Sequence, residues 1–118
     1  MQMALLRFYA GRGYRITQAG IPLAEEIIEA DATNAEALDW LGWMQFASGQ
    51  AEAAEESFRR VLEIDPNSVS ARLHLAQVIE TTRPEEAIAE YRTVIDWDTS
   101  GVFRDRAFER LQALQGEN

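Results

Sequence analysis

The sequence has no cysteine, so neither a disulfide framework nor a thiolate metal site can form, and a reducing cytoplasm suits it. Lysine is missing as well: all 11 basic residues are arginine, which we read as the codon usage of a GC-rich, bacterial genome. Histidine occurs once, at His74, too few for a catalytic triad, a zinc cluster or a His-based acid/base pair within the chain. Only three prolines and seven glycines interrupt 118 residues, which favours helix over an all-β design. Long apolar runs are lacking too: no stretch approaches the roughly 20 residues of a membrane span, and residues 1–10 carry a short apolar segment without a charged leader. Positive charge is scarce, 11 basic against 20 acidic residues for a net −9, and such a field repels phosphate backbones and anionic headgroups. These absences lead us to expect a cytoplasmic protein, or a soluble piece of a longer one, with no nucleic-acid or membrane partner, no metal and no cofactor.

What is present is apolar, alanine-rich and periodic. Hydrophobic residues make up 47% of the chain, and its length suits one domain that buries roughly two thirds of the surface its unfolded chain exposes. Sliding the sequence on itself by 33 residues lays 52–65 over 85–98, so that Ala54, Phe58, Val61 and Asp65 fall on Ala87, Tyr91, Val94 and Asp98. Their steps of four, three and four are the stripe of a helix that buries one face. The preceding segments repeat at an offset of 34, with Leu41-Gly42 over Leu75-Ala76 and Gln45 over Ile79. The missing residue falls in a turn, where deletions are tolerated.

Punctuation divides the chain at matching places. Asn34 is a capping residue for a helix to about Ser48, with Gly49 at its C-terminal end. A second helix over 51–64 is stopped by Pro66; Asn67 or Ser68 caps a third to about Thr81; Pro84, Glu85 and Glu86 open a fourth that reaches Trp97. Thr99 or Ser100 is expected to cap the last, over 102–114. Pro22 requires a helix to begin near it, because proline in a helix interior costs about 3 kcal/mol, and leaves residues 11–20 irregular.

A repeat of about 34 residues built as helix, turn, helix resembles the tetratricopeptide family. Residues 35–68 carry the pattern in Leu38, Leu41, Gly42, Gly49, Ala54, Phe58, Val61 and Pro66. Residues 69–101 carry it in Leu75, Ala76, Ala87, Tyr91 and Val94, departing at Arg72, where Leu38 sits, and at Thr99, where Pro66 sits. Residues 1–34 are a degenerate copy, and 102–114 a solvating helix apolar at Phe103, Ala107, Phe108, Leu111 and Leu114. The resemblance implies an all-α, right-handed superhelix of about six to seven antiparallel helices.

No constellation of catalytic residues stands out. The pairs available among Glu25, Glu29, Glu52, Glu55 and Glu56 lie on faces opposite the apolar stripe, as solvated faces do, and Gly11-Arg12-Gly13 lacks the strand before it and the later glycine and Lys-Ser/Thr of a phosphate loop. We therefore expect no enzyme. By the resemblance, the first helix of each repeat lines a concave groove that binds a protein or peptide, and the positions facing it are Tyr9, Trp43, Gln77 and Arg110, flanked by Asp39, Trp40, His74 and Arg106. Trp40, Trp43 and Phe46 recur in three-residue steps beside a stripe already filled by Leu38, Leu41, Gly42 and Gln45, which makes them the expected centre of the groove. The other reading places Trp40 or Trp43 between repeats, in space that family members often fill with a Trp where this chain has Leu38. Arg106 and Arg110 would rim the groove and favour a peptide with an apolar residue and a carboxylate. Met3, Leu5, Leu6, Phe8 and Tyr9 crowd one short uncapped segment, so homodimerisation, a missing upstream repeat, or packing on Ile27 and Leu41 are open alternatives there.

Overall fold

The computed structural model describes residues 20–116, which form six helices and no strand. These are α1 (Ile21–Ala30), α2 (Ala35–Ala47), α3 (Ala51–Ile64), α4 (Val69–Ile79), α5 (Pro84–Trp97) and α6 (Val102–Gln115). The chain divides into two compact units between Pro66 and Asn67, and each is described by itself. The expectations placed on residues 1–19, Tyr9 and the apolar N-terminal segment among them, lie outside the described residues.

In the first unit α2 packs against both α1 and α3. Pro22 sits in the first turn of α1, where its missing N–H is not needed, and Asn34 caps α2 by accepting from the amide of Ala37 at 3.0 Å. The core gathers Leu38, Met44, Ala54 and Phe58, all with no exposed surface, together with Val61, Ile27 and Ile28. Gly42 is required by a close approach: a Cβ there would stand 2.7 Å from Cε1 of Phe58, so the ring of α3 lies directly on the backbone of α2.

In the second unit α5 packs against α4 and α6, and α4 also touches α6. Ser68 caps α4 through the amide of Ala71 at 3.3 Å. Ala87, Tyr91 and Val94 are fully buried with Leu75, Ala76 and Ala107. The sequence overlay is therefore a burial overlay, since Ala54, Phe58 and Val61 are the buried residues at the same places in α3. The fourth pair diverges: Asp65 is exposed, whereas Asp98 is buried.

The last helix starts at Val102 as expected, and the divergence corrects the residue expected to cap it. The first residue outside the helix is Gly101, in the left-handed region at φ +86°, and the carboxylate of Asp98 reaches past it. Its Oδ2 accepts from the amides of Phe103 at 2.7 Å and Arg104 at 2.9 Å, while its Oδ1 accepts from the Ser100 amide and hydroxyl. Ser100 contributes only a long bond of 3.3 Å from Val102. An acceptor with a full charge outcompetes a hydroxyl for the free amides at a helix N-terminus, where the dipole also favours it.

Candidate functional site

The expected site residues of the first unit lie on α2. Its buried positions are Ala37, Leu38, Leu41, Gly42, Met44 and Gln45, and these fill the side turned to α1 and α3. Asp39, Trp40, Trp43 and Phe46 are each half-buried, off that stripe. The rings of Trp43 and Phe46 meet at 6.2 Å between centroids and tilt by 54°, a separation at which aromatic pairs attract. Met44 was not anticipated as core. Its place seven residues after Ala37 and three after Leu41 is the helical signal that marks it.

The second unit holds His74 and Gln77, half-buried on α4, and Arg106 and Arg110 on α6, the first exposed and the second half-buried. Arg110 is already engaged within the unit. Its guanidinium makes a two-pronged ion pair with Glu80 just beyond α4, Nε donating to Oε1 at 2.9 Å and the terminal nitrogen to Oε2, while the buried Tyr91 hydroxyl of α5 donates to Oε1 at 2.8 Å. The Arg110 bonds hold the Glu80 carboxyl below its ordinary range, against the opposing effect of burial and with further help from Tyr91. Burial first, and then the bond to Glu80, push the Tyr91 phenol above its ordinary value. Glu80 was missed from sequence because it is neighbour to neither partner in the chain and its repeat equivalent one unit earlier is not charged.

Arg72, the departure from pattern in α4, has its own account. It lies 2.9 Å from Glu90 of α5, and its guanidinium stands 4.9 Å over the ring of Trp97. A cation on a ring face thus occupies the place where Leu38 packs in the first unit.

One more feature of the first unit was not anticipated. An open cleft of about 360 Å³ is lined by Glu25, Ile28 and Glu29 of α1, Leu41 and Gln45 of α2, and four residues of α3 that include Glu56, Ser57 and Arg60. At its base the Ser57 hydroxyl donates to Oε1 of Gln45 at 2.7 Å, a bond between two buried side chains. Among the described residues no group of three or more potential metal ligands comes together, and no helix is long and apolar enough to cross a membrane.

A family model described as tetratricopeptide repeat matches residues 45–115. No curated protein matches the sequence significantly. Among solved structures, the type III secretion translocator chaperone SycD of Yersinia enterocolitica superposes with a TM-score of 0.82 at 16% identity, over 98% of this chain and 84% of that one. The same chaperone solved with a peptide of the translocator YopD gives 0.81 at 16%, over 98% and 93%. The Arabidopsis OM64 TPR domain gives 0.78 at 18%, over 93% of each chain. At these identities the likeness speaks for the fold.

Proposed function

Since the chain belongs to the tetratricopeptide-repeat family, we propose that it is a protein-interaction module that grips a partner peptide or protein by Trp40, Trp43 and Phe46 on α2. The observation that carries this reading is that the buried stripe of α2 is made by other residues, and these three rings form a half-buried aromatic face beside it. Large aromatics in such positions are the usual anchors of interfaces, since each buries much apolar area and tryptophan also donates a hydrogen bond. Asp39 lies on the same helix and would supply a polar contact beside them. His74 and Gln77 on α4, with Arg106 and Arg110 on α6, offer the partner a separate polar surface on the second unit. Arg110 would there have to share its fork with Glu80. The SycD structure with a translocator peptide supports a peptide as the kind of partner that this fold accepts. The reading assigns the chain no catalytic step.

The test begins with a peptide selected from a random library on the intact chain. Trp43→Ala is expected to weaken that peptide by about 30-fold, the size of an interface anchor of about 2 kcal/mol, with the melting temperature unchanged. A large fall in melting temperature instead would assign Trp43 to the core and overturn the proposal.

A further inference from the structure

The half-buried face of α2 is not aromatic alone. Every charged side chain of the helix is acidic, Glu36 and Asp39, and no basic residue occurs between Ala35 and Ala47. Acidic residues near a helix N-terminus are favoured by the dipole on any face, so their presence by itself carries nothing. Their register carries more. Trp40 follows Glu36 by four residues and Trp43 follows Asp39 by four, the step that sets two side chains next to each other, so each indole has a carboxylate one turn before it. Phe46 continues the row, its ring 6.2 Å from that of Trp43. The second unit shows what such a pairing can hold. There the Arg72 guanidinium stands 4.9 Å over the ring of Trp97 while one of its terminal nitrogens meets the Glu90 carboxylate at 2.9 Å, the indole and the carboxylate both belonging to α5. The face of an indole attracts a cation, and a planar guanidinium can lie on it with N–H groups still directed at a carboxylate. On α2 the indole and the carboxylate recur, and the helix itself supplies no cation.

We propose that the peptide gripped by α2 presents an arginine beside an apolar residue, the guanidinium stacked on Trp43 and donating to Asp39, the apolar side chain lying against Phe46. The inference rests on the aromatic face being the binding surface and adds the chemistry of its occupant. Charge selects a cation, since the face is acidic on a chain of net charge −9. Stacking selects arginine over lysine, because the guanidinium is planar and more weakly hydrated than an ammonium and so gives up less on meeting a ring. A carboxylate on the partner has no counterpart on α2, and on the second unit Arg110 already gives its fork to Glu80.

The experiment pans a displayed random peptide library on the full chain at 0.15 M salt and keeps the clones that Trp43→Ala no longer retains. Those clones are expected to share an arginine next to an apolar residue. The strongest, made as a fluorescein-labelled peptide and followed by anisotropy, should bind about tenfold more weakly when its arginine is replaced by glutamine and about threefold more weakly with lysine there. Asp39→Asn in the chain should weaken the parent peptide about fivefold but the glutamine peptide less than twofold, the coupling of two groups in contact. Glu85→Gln, which removes one charge from an exposed position of the second unit, should change the affinity less than twofold. Both peptide replacements are measured on the unsubstituted chain, so they decide the matter even where Asp39→Asn lowers the melting temperature. Trp43-dependent clones without arginine, a lysine or glutamine peptide that binds as well as the parent, or equal weakening by Asp39→Asn and Glu85→Gln would each overturn the arginine and leave the aromatic face standing. A library with no Trp43-dependent clone would overturn the aromatic face, and the arginine with it.

Discussion

Glu80 draws groups from two further helices onto one carboxylate, and its chemistry gives that arrangement a pH dependence. Because the folded-state pKa lies below the ordinary value of 4.5, the stabilisation is in force above that value and is lost as the pH falls through the folded one. Glu80→Gln should therefore destabilise the chain at pH 7 by about 1 kcal/mol, a figure reduced from that of a fully buried charged bond because Arg110 is partly exposed. In urea titrations the difference between variant and parent should shrink as the pH is brought towards 3. A loss that is the same at both pH values would mean that shape, and not charge, is what Gln fails to supply. Gly42 makes the opposite kind of demand, for empty space. Gly42→Ala drives a methyl group to within 2.7 Å of the fully buried Phe58 ring, and overpacking of that sort should cost about 1–3 kcal/mol, seen as a lower urea midpoint with unchanged slope.

At the scale of the element, helix boundaries were legible wherever a residue can do only one thing. Pro22 and Pro84 open helices, and Asn34 and Ser68 are seated where the structure uses them as caps. The start of α6 at Val102 was legible too, but its cap was not, because the rule looks for the nearest hydroxyl, and Thr99 and Ser100 stand closer in sequence than the Asp98 carboxylate that does the work. Reach in space, set here by Gly101 at φ +86°, is not written in the spacing of letters. The arrangement makes α6 the helix to watch. Ala107 is its single fully buried residue, so its hold on α5 and α4 leans on Asp98 and on the Arg110 pair. Asp98→Ala should speed amide exchange at Phe103 and Arg104 severalfold while leaving α2 and α3 as protected as before. The bonds from Ser100 first, with those from Arg104 and Phe103, lower the Asp98 carboxyl to about 2 despite the opposing effect of burial. The stabilisation it gives is thus complete above its ordinary value of 3.8 and fades only as the pH approaches about 2, and exchange at those two amides should stay slow at pH 4.

For the molecule as a whole, the repeat was legible because its offsets of 33 and 34 bring together residues that bury alike. The candidate sites were legible only in part. Trp40, Trp43 and Phe46 announce themselves by spacing, whereas the cleft beside Gln45 and Ser57 depends on which faces of three helices meet, and no local pattern encodes that. With a net charge of −9 and no lysine, the folded chain repels itself, so raising the salt from 0.01 to 0.15 M should raise the melting temperature slightly. A flat response would mean that the ion pairs Arg72–Glu90 and Arg110–Glu80 lose to screening what the remaining charges gain. The burial of the indoles has an optical consequence. None of the three tryptophans is fully buried, and they are divided, Trp40 and Trp43 in the first unit and Trp97, 45% exposed, in the second. Native fluorescence should accordingly be long in wavelength and open to collisional quenching by acrylamide. A ligand seated on α2 would shift the emission to the blue and shield it. With both α2 tryptophans replaced by phenylalanine, the remaining light would come from Trp97 beneath the Arg72 guanidinium, a private reporter of the second unit.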